Sequence, residues 1–170
     1  MPQQSRKEAV IVSGNELGQR FYLAQFNIAS SRWPLGHSQM TEFTDLLEPL
    51  NQVAEDAPGF VWRPYTLVDG DIDFWPYGPD VVINYSVWES LEQLRDFVYR
   101  GRHREVFKRR AEWFTQRSGH WSALWWVKAD SKLGTDECVN RLELLNRNGP
   151  SPCAFTFARS YPRPCICHPN

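Results

Sequence analysis

Two strand-like stretches of this chain are apolar on both faces. In Val81-Val-Ile-Asn-Tyr-Ser-Val-Trp88, the side chains of Val81, Ile83, Tyr85 and Val87 project one way and those of Val82 and Trp88 the other. In Trp121-Ser-Ala-Leu-Trp-Trp-Val127 the adjacent Trp125 and Trp126 take opposite sides. A strand with one wet face alternates apolar and polar residues, so both faces of this sheet need cover. In a chain of 170 residues the helices are expected to cover one face and leave the other for a second subunit.

The other elements follow from the same two periodicities. Residues 21–28 predict a first strand, with Tyr22, Ala24, Phe26 and Ile28 on one face and Phe21, Leu23, Gln25 and Asn27 on the other. The two amides on that second face need partners if they are buried. Met40, Phe43, Leu46, Leu47, Leu50, Val53 and Ala54 recur at helical spacing, and Pro49 within them predicts a kink or a division of the helix. Pro58-Gly59 stops it before a second strand at residues 60–63. Residues 69–79 are rich in Asp, Gly and Pro yet carry Ile72, Phe74, Trp75 and Tyr77, the composition of a packed lid.

After the strand at Val81, either Ser86-x-x-Glu89 or Ser90-x-x-Gln93 can act as a capping box. The helix that follows buries Leu91, Leu94, Phe97 and Val98, and Gly101 separates it from a second helical segment over residues 103–117. The fourth strand is residues 121–127. Thr135 then caps a last helix with Val139, Leu142 and Leu145 inward, ended by Gly149-Pro150, and residues 155–157 suggest a short edge strand. The order strand, helix, strand, strand, helix, strand predicts an α+β, ferredoxin-like βαββαβ fold with an extra C-terminal helix. The expected organisation is an arm over residues 1–20, one domain over 21–159 and a tail over 160–170.

Composition narrows the function. The formal net charge is −1 and the basic residues are dispersed except between Arg100 and Arg110, so no nucleic-acid footprint is expected. No segment has the apolar length of a membrane span and the N-terminus lacks a signal-peptide core, so a cytoplasmic protein without a membrane partner is expected. Cys138, Cys153, Cys165 and Cys167 are then expected as reduced thiols. Eight Trp in a chain that is 14% aromatic suit either a tight core or a pocket for a bulky apolar ligand.

The candidate chemistry lies in the segment from His103 to Arg117. On a helical wheel His103, Val106, Phe107, Trp113 and Phe114 share a face with Arg110 at its centre, so a core-facing stripe carries two polar donors. In an aromatic pocket His103 and Arg110 would serve as catalytic groups holding a carbonyl or enolate oxygen. The structural alternative pairs Arg110 with Glu105 or Glu143 and has His103 capping a backbone carbonyl. Asn27 and Asn84 would orient a substrate by their amides, unless loop backbone satisfies them. Trp62, Trp88, Phe107, Trp113 and Trp126 are candidate walls.

Cys165-x-Cys167-His168 has no partner pair at zinc spacing, so no metal is expected. No phosphate loop, nucleophile motif or HExxH is present, and no cofactor is expected. Haem with His103 as axial ligand is the alternative.

The segments Tyr22-Leu-Ala-Gln-Phe-Asn-Ile-Ala29, Pro58-Gly-Phe-Val-Trp-Arg63, Ser86-Val-Trp-Glu-Ser-Leu-Glu-Gln-Leu-Arg-Asp-Phe-Val-Tyr99, His103, Arg109-Arg-Ala-Glu-Trp-Phe114, Ala123-Leu-Trp-Trp-Val127 and Ala154-Phe-Thr-Phe157 resemble the "domain of unknown function 3291" family. The resemblance covers roughly residues 21–159. It implies a dimeric α/β barrel, the fold of small antibiotic-biosynthesis monooxygenases, polyketide cyclases and some haem enzymes, with the ligand cavity between sheet and helices. The N-terminal arm and the Pro- and Cys-containing tail depart from the compact pattern.

The expectation is a homodimeric, cofactor-free enzyme of specialised terpenoid or polyketide metabolism. It would promote cyclisation or rearrangement, including pericyclic closure, of an apolar small-molecule substrate. Cofactor-independent oxygenation of an aromatic substrate and non-catalytic binding are the alternatives.

Overall fold

A computed structural model describes residues 20–64 and 76–164. The arm up to residue 19, Ile72, Phe74 and Trp75 of the expected lid, and the Cys165, Cys167 and His168 cluster lie outside the described residues.

The central strand is β1 (Phe21–Ser31). Along one edge it pairs antiparallel with β3 (Val81–Trp88), from Leu23 opposite Trp88 to Ser30 opposite Val81. Along the other edge it pairs with β5 (Ser122–Lys128), and where β5 stops, the short β4 (Phe114–Thr115) continues the ladder opposite Ser30 and Ser31. Pairing with β3 through Ser30 and with β4 at Ser30 and Ser31 carries β1 three residues beyond its expected end at Ile28. β2 (Phe60–Trp62) joins the outer edge of β3. The principal order β2-β3-β1-β5 is antiparallel throughout, with a helical crossover between β1 and β2 and another between β3 and β5. This is the ferredoxin-like α+β arrangement.

α1 (Thr41–Glu55) runs through Pro49 as one helix rather than two turns. It ends at Asp56, and Gly59 (φ +80°) redirects the chain into β2. Of the two capping boxes Ser90 is the one used: its hydroxyl accepts the Gln93 N–H and donates to the Gln93 side-chain oxygen, opening α2 (Leu91–Tyr99). Gly101 (φ +61°) breaks the helical path, and α3 (Gly101–Lys108) follows in a new direction.

The helix expected over residues 103–117 stops at Lys108. A 3-10 turn over Arg110–Glu112 then leads to the sheet: the Arg32 N–H bonds to the Trp113 carbonyl and Phe114 pairs with Ser31, so residues 113–115 belong to the edge of β1. Arg109 secures the corner, reaching Glu42 on α1 at 2.7 and 2.9 Å and Glu112 at 2.9 and 2.7 Å, with its guanidinium 4.8 Å from the Trp113 ring centroid. The Arg109 guanidinium holds both carboxylates below their ordinary range.

The two faces are both covered within one chain. Leu23, Trp88 and Leu124 meet Ala54, Leu91, Leu94 and Phe155 on one side. Ala24, Phe26, Ile28, Ile83 and Trp125 meet Cys138, Leu142 and Leu145 of α4 (Thr135–Asn148) on the other. α4 therefore lies on the face where a second subunit was expected, and that face is closed within one chain. Thr135 is the first residue of α4 and Gly134 its N-cap, without a side-chain bond; Gly149 (φ +73°) ends it. The expected edge strand at 155–157 reduces to a single bridge, Leu124 with Phe155, because Thr156 N–H turns back to the Arg159 carbonyl.

Candidate functional site

On the face under α2 and α3, β1 and β3 carry the period-two polar run Gln25, Asn27, Asn84 and Ser86. Asn27 and Asn84 lie directly opposite each other, as do Gln25 and Ser86. Gln25 and Ser86 are buried, Asn27 is half-buried, and Asn84 is exposed although it sits in the middle of the sheet. An exposed residue at the centre of a sheet face means that the helices above do not close over it.

α3 bridges this gap. Val106 packs, as Val82 of β3 does, against the cluster of Met40, Phe43 and Trp113, and the Phe107 ring lies 6.0 Å from that of Trp121 on the β5 side. Asn27 and Asn84 lie on the sheet face that carries Val82, Ser86 and Trp88, the face turned toward α2 and α3. His103 stands on the same helix with its ring 4.6 Å from Phe97 and 6.2 Å from Phe107, and Phe97 in turn stacks on Trp88 at 5.0 Å. The result is a cleft with an amide floor and aromatic sides.

The tautomer of His103 follows from its partner. Nδ1 lies 3.1 Å from the Val98 carbonyl, which can only accept, so Nδ1 carries the proton and Nε2 is the basic nitrogen. Burial pushes the imidazole pKa below its ordinary value and outweighs the opposite pull of the Val98 carbonyl. The ring is a neutral base at neutral pH, and Nε2 bonds to no described residue.

A hydrogen-bonded chain fixes the floor. Trp88 Nε1–H donates to Ser86 Oγ at 2.9 Å, Ser86 Oγ–H to Gln25 Oε1 at 3.0 Å, and Gln25 Nε2–H to Asn27 Oδ1 at 2.6 Å. An indole N–H can only donate, and turning the Gln25 amide round would leave the Ser86 hydroxyl proton without an acceptor. The chain therefore runs one way: Asn27 Oδ1 is engaged by Gln25, and its Nδ2–H groups bond to no described residue.

The expected site residues separate accordingly. His103 and Phe107 share one wall and Asn27 and Asn84 the floor. Trp88 is completely buried and supports the site through Ser86 and Phe97. Trp113 is core, packed on Met40 and Phe43. Trp126 is closed off: its Nε1 donates to the Tyr161 carbonyl and Arg163 lies over its ring.

Trp62 is a correction, since it pairs with Val87 and meets Tyr85 on the opposite face of the sheet, 38% exposed. Arg110 is a second. It lies beyond the end of α3, exposed, with Nη1 on the Phe107 carbonyl and its guanidinium over the Phe107 ring, so it caps a helix end. Neither expected carboxylate holds it, since Glu105 takes Lys108 and Glu143 takes Arg147.

Gln25, Ser86 and Phe97 were not expected as site residues. The signal for the first two was present as polar residues two apart on each of two facing strands. Phe97 and Trp121 reach the site through tertiary contacts that periodicity does not carry.

Among the described residues no group of three His, Cys, Asp or Glu is placed to hold a metal ion, and no helix is long and apolar enough to cross a membrane. Cys138 and Cys153 are free thiols, and burial pushes the Cys138 thiol well up.

No curated protein matches the sequence. Solved structures similar at low identity include the following two. The crystal structure of the NE2512 protein of unknown function from Nitrosomonas europaea has 14% identity and a TM-score of 0.45, over 69% of this chain and 99% of that one. SnoaB, a cofactor-independent oxygenase from Streptomyces nogalater, has 13% identity and a TM-score of 0.38, over 66% and 94%. A family model matches residues 22–168 of the 170, and the chain belongs to that family, described as Domain of unknown function (DUF3291).

Proposed function

We propose that the protein is a cofactor-free enzyme that removes a proton from an apolar, carbonyl-bearing small molecule and so promotes its cyclisation or rearrangement, as in terpenoid or polyketide metabolism. The observation that carries this reading is the single tautomer of His103: a neutral imidazole, Nδ1–H held by Val98, Nε2 unbonded, in a cage of Phe97 and Phe107. A desolvated imidazole of this kind is unprotonated at neutral pH and so free to accept a proton. Nε2 takes a proton from the carbon beside the carbonyl, and the electron pair moves onto oxygen. The Asn27 N–H groups stabilise the enolate, since fixed donors in a low-dielectric site need no reorganisation as charge develops.

The chain acts as a homodimer in this proposal. With α4 over the second sheet face, the supporting feature is the exposed Val61 and Trp62 on edge strand β2. Sedimentation equilibrium tests it, and a monomer at every concentration removes that part.

The catalytic reading is tested by proton exchange in D₂O with 2-tetralone as probe, followed by NMR. The protein should speed deuterium uptake beside the carbonyl, and His103→Gln and Asn27→Asp should each lose that acceleration by about 10²-fold, the usual worth of a positioned base or donor. Uptake no faster than in buffer sinks the proposal. Nε2 is also the atom a haem iron would take, so a Soret band in the purified protein would replace the cofactor-free reading.

A further inference from the structure

On the opposite side of the sheet from His103, a cavity of about 260 Å³ opens between the end of β1, the turn before β5 and α4. At about 30 Å³ per water it has room for roughly eight water-sized groups. Its apolar base is Ile28 and Leu142. Tyr77 lines it as well, and the Tyr77 hydroxyl is the one buried side-chain nitrogen or oxygen among the described residues that has no hydrogen-bond partner. Native structures rarely leave such a group unpaired, and a ligand acceptor is one way to satisfy it.

Arg117 lines the same cavity and lies over the Tyr77 ring, its guanidinium 5.9 Å from the ring centroid. Nη1 donates to Ser30 Oγ, and the other guanidinium donors bond to no other described residue. At the rim Glu143 and Arg147 form an ion pair at 3.8 Å, which leaves Arg117 as the uncompensated charge. The wall is fixed in place. Asn146 accepts the His120 N–H at 2.7 Å and donates to the His120 carbonyl at 3.0 Å and to the Leu142 carbonyl at 3.1 Å. Burial, with a smaller contribution from Glu143, raises the Tyr77 pKa, so the phenol stays a donor.

We propose that this cavity is a second ligand site, specific for a small organic monocarboxylate whose oxygens take the Tyr77 hydroxyl and the Arg117 guanidinium while its hydrocarbon body lies on Ile28 and Leu142. One guanidinium and one neutral donor match a single negative charge, and the apolar base favours a hydrocarbon body over a bare inorganic anion.

Isothermal titration calorimetry of the full chain with benzoate tests it. Benzoate should bind at one saturable site, Tyr77→Phe should weaken it roughly ten- to a hundred-fold as a lost hydrogen bond to a charged group does, and His103→Gln should leave it unchanged. Arg117→Gln should weaken it at least as much. Tyr77→Phe removes only an unpaired hydroxyl, so its fold is not at risk. Equal affinity in Tyr77→Phe, loss of binding in His103→Gln, equally tight benzyl alcohol, or inorganic phosphate competing as well as benzoate would each overturn the assignment.

Discussion

His103 Nδ1 lies 3.1 Å from the Val98 carbonyl, and the two residues belong to different helices separated by the Gly101 break. The bond ties the start of α3 to the end of α2 and selects the tautomer with Nε2 free. Both consequences depend on the ring remaining neutral.

That dependence predicts a pH effect. An unfolded His titrates near pH 6.5, and burial sets the folded pKa of His103 lower. Below about pH 6.5 the unfolded chain then binds more protons than the folded one, so this group's contribution is fully present above that pH and is lost as pH falls through the window beneath it. The loss cannot exceed about 1.4 kcal/mol per pH unit. Urea denaturation at a series of pH values should show a decline below about pH 6.5 that is shallower in His103→Gln. Identical profiles would mean that the ring is not desolvated.

Gln25→Glu should invert the polarity of the cleft. The carboxylate still accepts from Ser86 but presents only oxygen to Asn27, so the Asn27 amide must turn its N–H groups inward and its oxygen toward the cleft. Affinity for 2-tetralone should fall by roughly tenfold or more, with a stability loss of about 1–3 kcal/mol for the buried charge. Fluorescence titration and urea denaturation separate the two effects. Unchanged 2-tetralone affinity in a folded variant would argue against Asn27 as a donor.

The strands and their faces were legible because period-two alternation is local: the split of Val81, Ile83, Tyr85 and Val87 from Val82 and Trp88 is the one observed. His103 was legible as inward-facing for a similar reason, since it lies within the true α3. Arg110 was not, because helical spacing continues past Arg109, where ion pairs to Glu42 and strand pairing at Phe114 end the helix. Such contacts span 67 and 83 residues of chain and leave no periodic trace. Trp62 was misplaced because the pairing register shifts between Phe60 and Trp62, which no local pattern announces. The cover of the second face was not legible, although the spacing of Leu142 and Leu145 marks them as inward, because sequence spacing does not say which face a terminal helix returns to.

Gly119 and Asn146 should be energetically coupled. Gly119 has φ +76°, and a Cβ there would come 2.6 Å from Asn146 Oδ1. Gly119→Ala should cost about 1–3 kcal/mol, part from backbone conformation and part from the collision. In the double variant with Asn146→Ala the collision is gone, so the combined loss should be smaller than the sum of the single losses. Strict additivity in urea denaturation would show that the Asn146 clamp does not constrain the turn.

The segment after α4 belongs to the core. Phe155 and Leu124 exchange two backbone hydrogen bonds, at 2.8 and 2.9 Å, and the Phe155 ring is fully buried in the cluster with Leu23, Trp88 and Leu94. Tyr161 packs on Phe155 and its carbonyl takes the Trp126 indole N–H, so the chain from Phe155 to Tyr161 seals the outer side of β5. Phe155→Ala leaves a cavity against that strand and should cost about 3–5 kcal/mol, a large part of the stability of a typical domain. Urea denaturation measures it, and a loss below about 1 kcal/mol would mean that this segment packs only loosely on the sheet.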